Sequence, residues 1–254
     1  MFAKRSMRKL ILALLILLLL GSFVLAWQQR EALTIRRQRA FVSAARQGNL
    51  ARVRWLFYLG ADVNGAIEPP EVKDNPFPAG TDLAVVENAV KEKFSVTPLT
   101  AAVANARRSV IEFLLAHGAN VNQQGELGTP LTIAVISGQK SEIDLLLAAG
   151  ADMSLGWKFL EGGQTSPLEL AVLAGRLDFI ELLLSKGAAA VPNANSALWA
   201  AVRRRDAGIL SKLLSYGLVP AEKDYGENNL FVYARQQNDP EIIKLLKPFE
   251  TKIK

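Results

Sequence analysis

Apolar residues recur at fixed offsets along most of this 254-residue chain. In residues 97–122, TPLTAAVANARRSVIEFLLAHGANVN, the pattern predicts two short antiparallel helices followed by an extended tip. Thr97 suits the N-cap of the first helix and Pro98 its first turn, while Gly118 can close the second helix with a positive φ. Such a hairpin has two broad apolar faces, so we expect it to be stable only against neighbours of the same kind.

The same pattern occurs in five further stretches, which gives six units. Arg39 occupies the cap position of the first unit, which predicts a helix that enters from upstream. The repeated positions are the alanines Ala44, Ala102, Ala134, Ala171, Ala201 and Ala234, the aliphatic residues Val53, Ile111, Ile143, Ile180, Leu210 and Ile243, and the glycines Gly60, Gly118, Gly150, Gly187 and Gly217. An internal repeat of this kind predicts a solenoid.

The segments TPLTAA and GTPLTIA resemble the T-P-L-H-x-A signature of ankyrin repeats, and GADVN, GANVN and GADM resemble the opening of that family's hairpin. The resemblance covers about residues 39–247 and implies an all-α, ankyrin-type solenoid of about six helix-turn-helix repeats, preceded by an N-terminal apolar helix. Two positions depart from the family pattern and predict less regular units. The signature histidine is replaced by Thr100, Thr132, Glu169 and Trp199, and the glycine between the helices by Ala106, Arg205 and Asn238.

These patterns divide the chain into a basic segment, an apolar helix, six repeats and two inserts. The predicted boundaries are 1–9 for the basic segment, 10–27 for the apolar helix, 28–38 for a helical linker, 39–64 for repeat 1, 65–96 for the first insert, 97–128 and 129–153 for repeats 2 and 3, 154–165 for the aromatic insert, 166–190 and 196–228 for repeats 4 and 5, and 229–254 for a degenerate capping repeat.

The N-terminus reads as an export signal. Four basic residues precede an apolar run at 10–26, which only Gly21 and Ser22 interrupt. The run is either a cleaved signal peptide or a signal anchor that spans the membrane once, with Trp27 at the interface. No turn signal follows Ala26, which favours the anchor. In a bacterial chain, the anchor predicts an inner-membrane protein with its C-terminal part in the periplasm, and cleavage predicts a protein secreted to the periplasm.

Both inserts either pack on the array or contact a partner. The first contains four prolines and then DLAVVENAVKEKF, which places Leu83, Val86, Val90 and Phe94 on one helical face. Loops of this length in compact arrays are often functional. The second places Trp157 and Phe159 in a hairpin tip, and aromatic side chains are frequent interface hot spots.

The resemblance implies that a protein partner binds on the concave side, which the hairpin tips and the exposed ends of the first helices form. An apolar centre with polar ends is typical of an interface, and we expect Ile136, Leu173 and Trp157 to form one contact area. Arg203 and Arg204 fit either a solvated face or an anionic patch on a partner. The candidate residues are Arg46, Asn105, Ile136, Trp157, Phe159, Leu173, Arg203 and Arg204.

The residue types needed for catalysis are scarce. The chain has one histidine, His117, and no cysteine, and His117 suits a structural role at a helix C-terminus. The carboxylates of Glu142, Asp144, Asp178 and Glu181 are expected to face solvent. We therefore predict no enzyme, no cofactor, no metal and no small-molecule substrate, and either a binding scaffold or an accessory protein with a stress-protective role.

The net charge of +6 does not indicate a nucleic-acid partner. Residues 1–39 carry eight Lys/Arg and one Asp/Glu, whereas the remainder carries 22 and 23. The basic charge therefore belongs to the N-terminal region, and the repeats have no footprint for a phosphate backbone.

Overall fold

The computed structural model describes residues 2–67, 96–125, 128–158, 164–220 and 229–250, without the side chains of residues 2–19, 23, 25, 158 and 164. Three predictions lie outside this part: the body of the first insert at 68–95, Phe159 in the second insert, and most side chains of the apolar run at 10–26. Among the residues that are described, no helix is long and apolar enough to cross a membrane.

The described residues form successive helical pairs, each joined by a short turn. The elements are α1 (Phe2–Gln47), α2 (Leu50–Tyr58), α3 (Pro98–Ala104), α4 (Arg108–Ala116), α5 (Pro130–Ile136), α6 (Lys140–Ala148), β1 (Trp157–Lys158), β2 (Gln164–Thr165), α7 (Pro167–Leu173), α8 (Leu177–Ser185), a 3₁₀ turn (Ala188–Ala190), α9 (Ser196–Arg204), α10 (Ala207–Ser215), α11 (Leu230–Gln237) and α12 (Pro240–Glu250). The first helices contact one another in order from α1 to α9, and α12 packs on α10, so the pairs stack as a solenoid.

The first unit has no helix start of its own. The backbone of α1 is helical from Phe2 through Arg39 to Gln47, which confirms that the first repeat helix enters from upstream. The last turns of α1 bury Phe41 and Ala44 against the second unit. The first repeat helix is therefore the continuation of the helix that contains the N-terminal segment.

Three first helices begin with the expected cap and proline. Thr97, Thr129 and Ser166 each accept a hydrogen bond from the backbone N–H three residues later. The Thr97 N–H donates in return to Oγ1 of Thr100 at 2.9 Å, and Oγ1 of Thr132 donates to the Thr129 carbonyl at 2.7 Å. The threonines at the signature position thus stabilise the start of their own helix.

Two helix termini depart from the pattern of the other units. Ser196, at the cap position of the fifth unit, is already helical, and its Oγ donates to the Asn193 carbonyl at 2.9 Å instead of capping α9. A proline usually ends a helix at the preceding residue, yet Pro248 lies inside α12. It has no N–H to donate to the carbonyl of Lys244, so the last turn lacks one hydrogen bond.

The repeated apolar positions form the core. The repeat alanines from Ala102 to Ala201 are fully buried where the first helices meet, and their small size allows close approach. In the last unit the repeated position Ile243 is only half-buried, whereas the preceding Ile242 is fully buried, as Val110 and Phe179 are at the equivalent position. The second helix of this unit therefore keeps the register of the others, and only one of its core positions is less covered.

The turn between paired helices keeps one conformation whatever residue occupies it. Gly138 and Gly175 adopt left-handed φ values of 71° and 66°. Ala106, Arg205 and Asn238 adopt φ values of 52°, 57° and 53° at the equivalent position. A left-handed alanine or arginine costs about 1–2 kcal/mol, so the packing of the array imposes this turn against local preference.

The hairpin tips contain short antiparallel pairings, so the fold is not strictly all-α. β1 and β2 pair Trp157 with Thr165, and isolated bridges join Ile67 to Val96 and Gly125 to Gly128. Each pairing closes the base of a tip. The Ile67–Val96 bridge has two hydrogen bonds, at 3.0 and 2.9 Å, and brings the two ends of the first insert together.

Candidate partner-binding surface

Asparagine side chains connect neighbouring hairpin tips. Asn64 donates through Nδ2 to the Gly118 carbonyl at 3.1 Å and accepts from the Asn120 N–H at 2.7 Å. Asn122 repeats this arrangement on the next unit, with the Gly150 carbonyl at 3.2 Å and the Asp152 N–H at 2.8 Å. These paired bonds fix the spacing of the first three tips, which form one edge of the expected surface.

The asparagine connection stops after the third unit, because Ser154 occupies the position of Asn64 and Asn122. The Ser154 carbonyl instead accepts from Nδ2 of Asn193 at 2.9 Å. A contact from the loop of the fourth unit therefore holds the third tip, and no local motif in the sequence indicates that contact.

The exposed ends of the first helices are polar at the two ends of the array. Arg46, Arg203 and Arg204 are exposed. Asn105 is half-buried, and its Nδ2 donates to the Ala101 carbonyl at 2.9 Å within its own helix. Leu173 is half-buried against the core. The structure therefore brings these positions onto one side of the first helices but separates their exposed side chains.

The predicted apolar centre of this surface is wrong. Ile136 is 4% exposed and Trp157 is 7% exposed, and both belong to the hydrophobic core. Ile136 is the last residue of α5, and all seven residues of this helix are buried. Trp157 pairs with Thr165 in the two-stranded sheet and lies in the hydrophobic core. Neither side chain is available to a partner in this structure.

A set of arginines crosses from one unit to the next at the turns. Nε of Arg107 donates to the Arg46 carbonyl at 3.1 Å, and Nη1 of Arg204 donates to the Leu173 carbonyl at 2.7 Å. Arg205 donates to the Gln237 carbonyl. Each guanidinium supplies a donor to a carbonyl at the end of a first helix, where intrahelical partners are lacking. Arg204 therefore has a structural role as well as exposure.

The turn glycines leave room for these arginines. A Cβ at Gly48 would lie 2.7 Å from Cδ of Arg107, and one at Gly175 would lie 2.5 Å from Nη2 of Arg204. At Gly138 the nearest atom is Nη1 of Arg176, at 3.1 Å. The sequence signal for this packing was an arginine near the turn between the helices of units two, four and five, and our sequence reasoning missed it.

Glu169 is a buried carboxylate at the signature position of the fourth unit. Glu169 is only 3% exposed, and its Oε2 atom has no hydrogen-bond partner. Burial raises the pKa of Glu169, while hydrogen bonding by Ser196 and the charge of Arg203 oppose the rise. The Ser196 hydroxyl has one proton, which it also offers to the Asn193 carbonyl, so its support is divided.

A second acidic residue was misplaced by the sequence pattern. Glu142 was expected to face solvent but is 3% exposed, and its Oε2 accepts from Oγ of Ser141 at 2.7 Å. Its position is equivalent to Val110 and Phe179, which are also fully buried. Asp144 does face solvent, where it pairs with Lys186 of the next unit at 2.9 Å.

His117 packs between aromatic rings. Its ring centroid lies 4.0 Å from that of Phe113 and 5.0 Å from that of Phe57, and Nδ1 lies 2.7 Å from the Phe113 carbonyl. Across the described ranges, no three His, Asp or Glu side chains are grouped so that they could hold a metal ion. His117 therefore joins α2 and α4 through packing contacts.

Comparison with known families gives one result. Residues 79–156 and 99–195 match the family model described as ankyrin repeats (3 copies), and together they span less than half of the chain. No curated protein matches the sequence significantly. The match indicates no catalytic family. The chain thus contains ankyrin repeats, which are generally protein–protein interaction modules.

Proposed function

We propose that this protein is a non-catalytic scaffold that binds a protein partner on the concave side of its repeats. The ankyrin match over residues 79–195 is the observation that carries the proposal. The exposed Arg46 and Arg203, on the first helices of the first and fifth units, supply the polar rim of the surface. Asn105 and Leu173 lie between them, half-buried.

Site-specific crosslinking tests this surface directly. A photo-crosslinking side chain at Leu173 or Arg203 should capture a defined partner in cells, whereas the same group at the exposed Lys140 at the start of α6 should not. Reversing the charge of Arg46 should reduce the yield from Leu173 without changing the thermal midpoint. Equal yields from Lys140 and Leu173 would exclude a specific concave interface.

We further propose that the apolar segment at 10–26 tethers the protein to a membrane, with the repeats outside the cytoplasm. The supporting features are the purity of the apolar run in the sequence and the unbroken backbone of α1, which joins that segment to the first repeat. The alternative, a soluble periplasmic protein with an accessory role, requires cleavage after Ala26.

Two measurements separate the tether from its alternative. N-terminal sequencing of the mature protein should return an intact Leu10–Ala26 segment, and alkaline extraction should leave the protein in the membrane pellet. The chain has no cysteine, so Ser109→Cys, at an exposed site, gives a single thiol. A membrane-impermeant maleimide should label it in intact cells. Labelling only after lysis would refute the orientation.

A further inference from the structure

The helical linker and the first unit together differ from the later units in charge. Residues 28–64 carry seven arginines and two acidic residues, whereas the described residues from 96 onward carry thirteen Lys/Arg and eleven Asp/Glu. Arg36, Arg39 and Arg52 are exposed. A positive field is therefore concentrated at the end of the array that adjoins the N-terminal segment.

The N-terminal helix and the first unit also expose large aromatic side chains. Trp27 is 59% exposed, Trp55 60% and Tyr58 75%, whereas Trp157 and Trp199 are 7% exposed. Arg52, Trp55, Tyr58 and Leu59 follow one another at helical spacing, so they form a stripe along the outer side of α2. We name the stripe, together with Arg36 and Arg39, the basic aromatic edge.

Contacts with α1 fix the position of this edge relative to the apolar segment. Nη1 of Arg37 donates to the Leu59 carbonyl at 2.6 Å, and Nε2 of Gln38 donates to the Asp62 carbonyl at 2.8 Å. The end of α2 is therefore level with Arg37. At 1.5 Å per residue, Arg37 lies about 16 Å along the helix axis from Ala26.

That distance places the edge close to the polar surface of a bilayer. The headgroup layer extends roughly 5–8 Å beyond the hydrocarbon, and the Debye length at physiological salt is about 8 Å. The axes of packed helices are about 8–10 Å apart, so a tilt of about 20–40° in α1 lowers α2 by roughly 3–6 Å. Tyr58 and Leu59 then reach the headgroups.

We propose that the basic aromatic edge docks on the anionic phospholipid surface of the membrane that holds α1. Guanidinium groups pair with headgroup phosphates, and tryptophan and tyrosine partition to the membrane interface. A second copy of this edge is disfavoured as occupant because like charges would meet. The inference rests on the proposed tether, and it places the first unit of the array, and not the later units, against the bilayer.

Depth measurements at matched positions test the docking. Leu59 and Tyr216 occupy equivalent positions in the first and fifth units, and both are exposed. Leu59→Cys and Tyr216→Cys in the full chain, each carrying an environment-sensitive fluorophore, are compared in vesicles of phosphatidylcholine with and without about 30% phosphatidylglycerol. The label at position 59 should shift to the blue only in anionic vesicles, and the label at 216 should stay aqueous.

Charge reversal supplies the control. The triple variant Arg36→Glu, Arg39→Glu and Arg52→Glu should abolish the shift, because each arginine near an anionic surface is worth about fivefold in partitioning. The matched triple variant Lys140→Glu, Lys244→Glu and Lys247→Glu changes net charge equally at exposed sites elsewhere and should retain it.

Flotation of the same samples distinguishes the two proposals. Protein that floats with the vesicles while position 59 remains aqueous overturns the docking and leaves the tether intact. Failure to float with anionic vesicles overturns both. A blue shift at 59 that is equal in neutral vesicles identifies protein packing in place of lipid, and an equal shift at 216 identifies unspecific adsorption; either result overturns the docking.

Discussion

Replacing Glu169 by glutamine should stabilise the repeats at neutral pH. Glu169→Gln keeps the volume of the side chain and removes a charge that is almost fully buried, with Oε2 unpartnered. Leaving a buried acceptor unsatisfied costs roughly 1–3 kcal/mol, and more when the group is charged. Each kcal/mol corresponds to about 2–4 °C in the thermal midpoint of a domain of this size.

The pH dependence has a defined sign. Burial raises the pKa of Glu169 in the folded protein above the usual 4.5. The folded state therefore binds the proton more tightly than the unfolded state does, so the stability contribution of this group is fully present below pH 4.5 and is lost as the pH rises through the folded pKa. Asp152 has the opposite sign, because hydrogen bonds from Ser154 lower its pKa. Its contribution is present above the unfolded pKa and lost on acidification.

Urea unfolding followed by circular dichroism between pH 4 and pH 8 measures both effects. The difference in unfolding free energy between Glu169→Gln and the native chain should be largest at pH 8 and should shrink towards pH 4. Arg203→Gln should destabilise the native chain at pH 8, because it removes the positive charge that favours the ionised Glu169. The same change should have no such effect in the Glu169→Gln variant, where the buried carboxylate is absent. A variant that is less stable than the native chain at every pH would refute the reasoning.

Three further changes test the turns and the tips. Ala106→Gly should raise the unfolding free energy by up to about 1 kcal/mol, because glycine adopts the left-handed turn without strain. The reverse change Gly138→Ala should lower it by at least as much, and a change of the same sign for both variants in urea unfolding would contradict this account. Asn122→Ala should cost about 1–2 kcal/mol by removing two bonds between tips, detectable as faster amide exchange at Gly150. Lys186→Ala should change stability by under about 1 kcal/mol, since its ion pair is exposed to solvent.

The sequence could predict the core because the repeat itself carries the information. A residue such as Ala134 has the same surroundings as its equivalents in neighbouring units. Because the apolar position recurs in several units, an irregular residue in one unit does not obscure the prediction that the position is buried. The caps at Thr97 and Thr129 are local in the same sense, since donor and acceptor are three residues apart. The uncapped start at Arg39 was predictable for the same reason.

The candidate surface was less predictable because burial at its positions depends on neighbours that the pattern does not specify. Ile136 and Arg203 share one offset in their units, yet one is in the core and the other is exposed. Glu142 and Glu169 are charged residue types at positions that the fold buries. Their residue type predicts exposure, and their burial follows from the packing of neighbouring units. Where an arginine from the next unit reaches back, as Arg204 does to the Leu173 carbonyl, a side chain that reads as solvated has a structural partner.

The arginines that join neighbouring units are also exposed, so they can contribute to the binding of a partner. Arg204 uses one N–H donor for the Leu173 carbonyl. Because a guanidinium has five N–H donors, Arg204 can bond to the neighbouring unit and still present donors to a partner. Arg46 presents its side chain while its carbonyl receives Arg107. A partner that binds these arginines would therefore also bear on contacts between units. Binding should then slow amide exchange at the turns around Gly48 and Gly175, beyond the residues that it covers. Protection confined to the covered residues would show that recognition and array stability are independent.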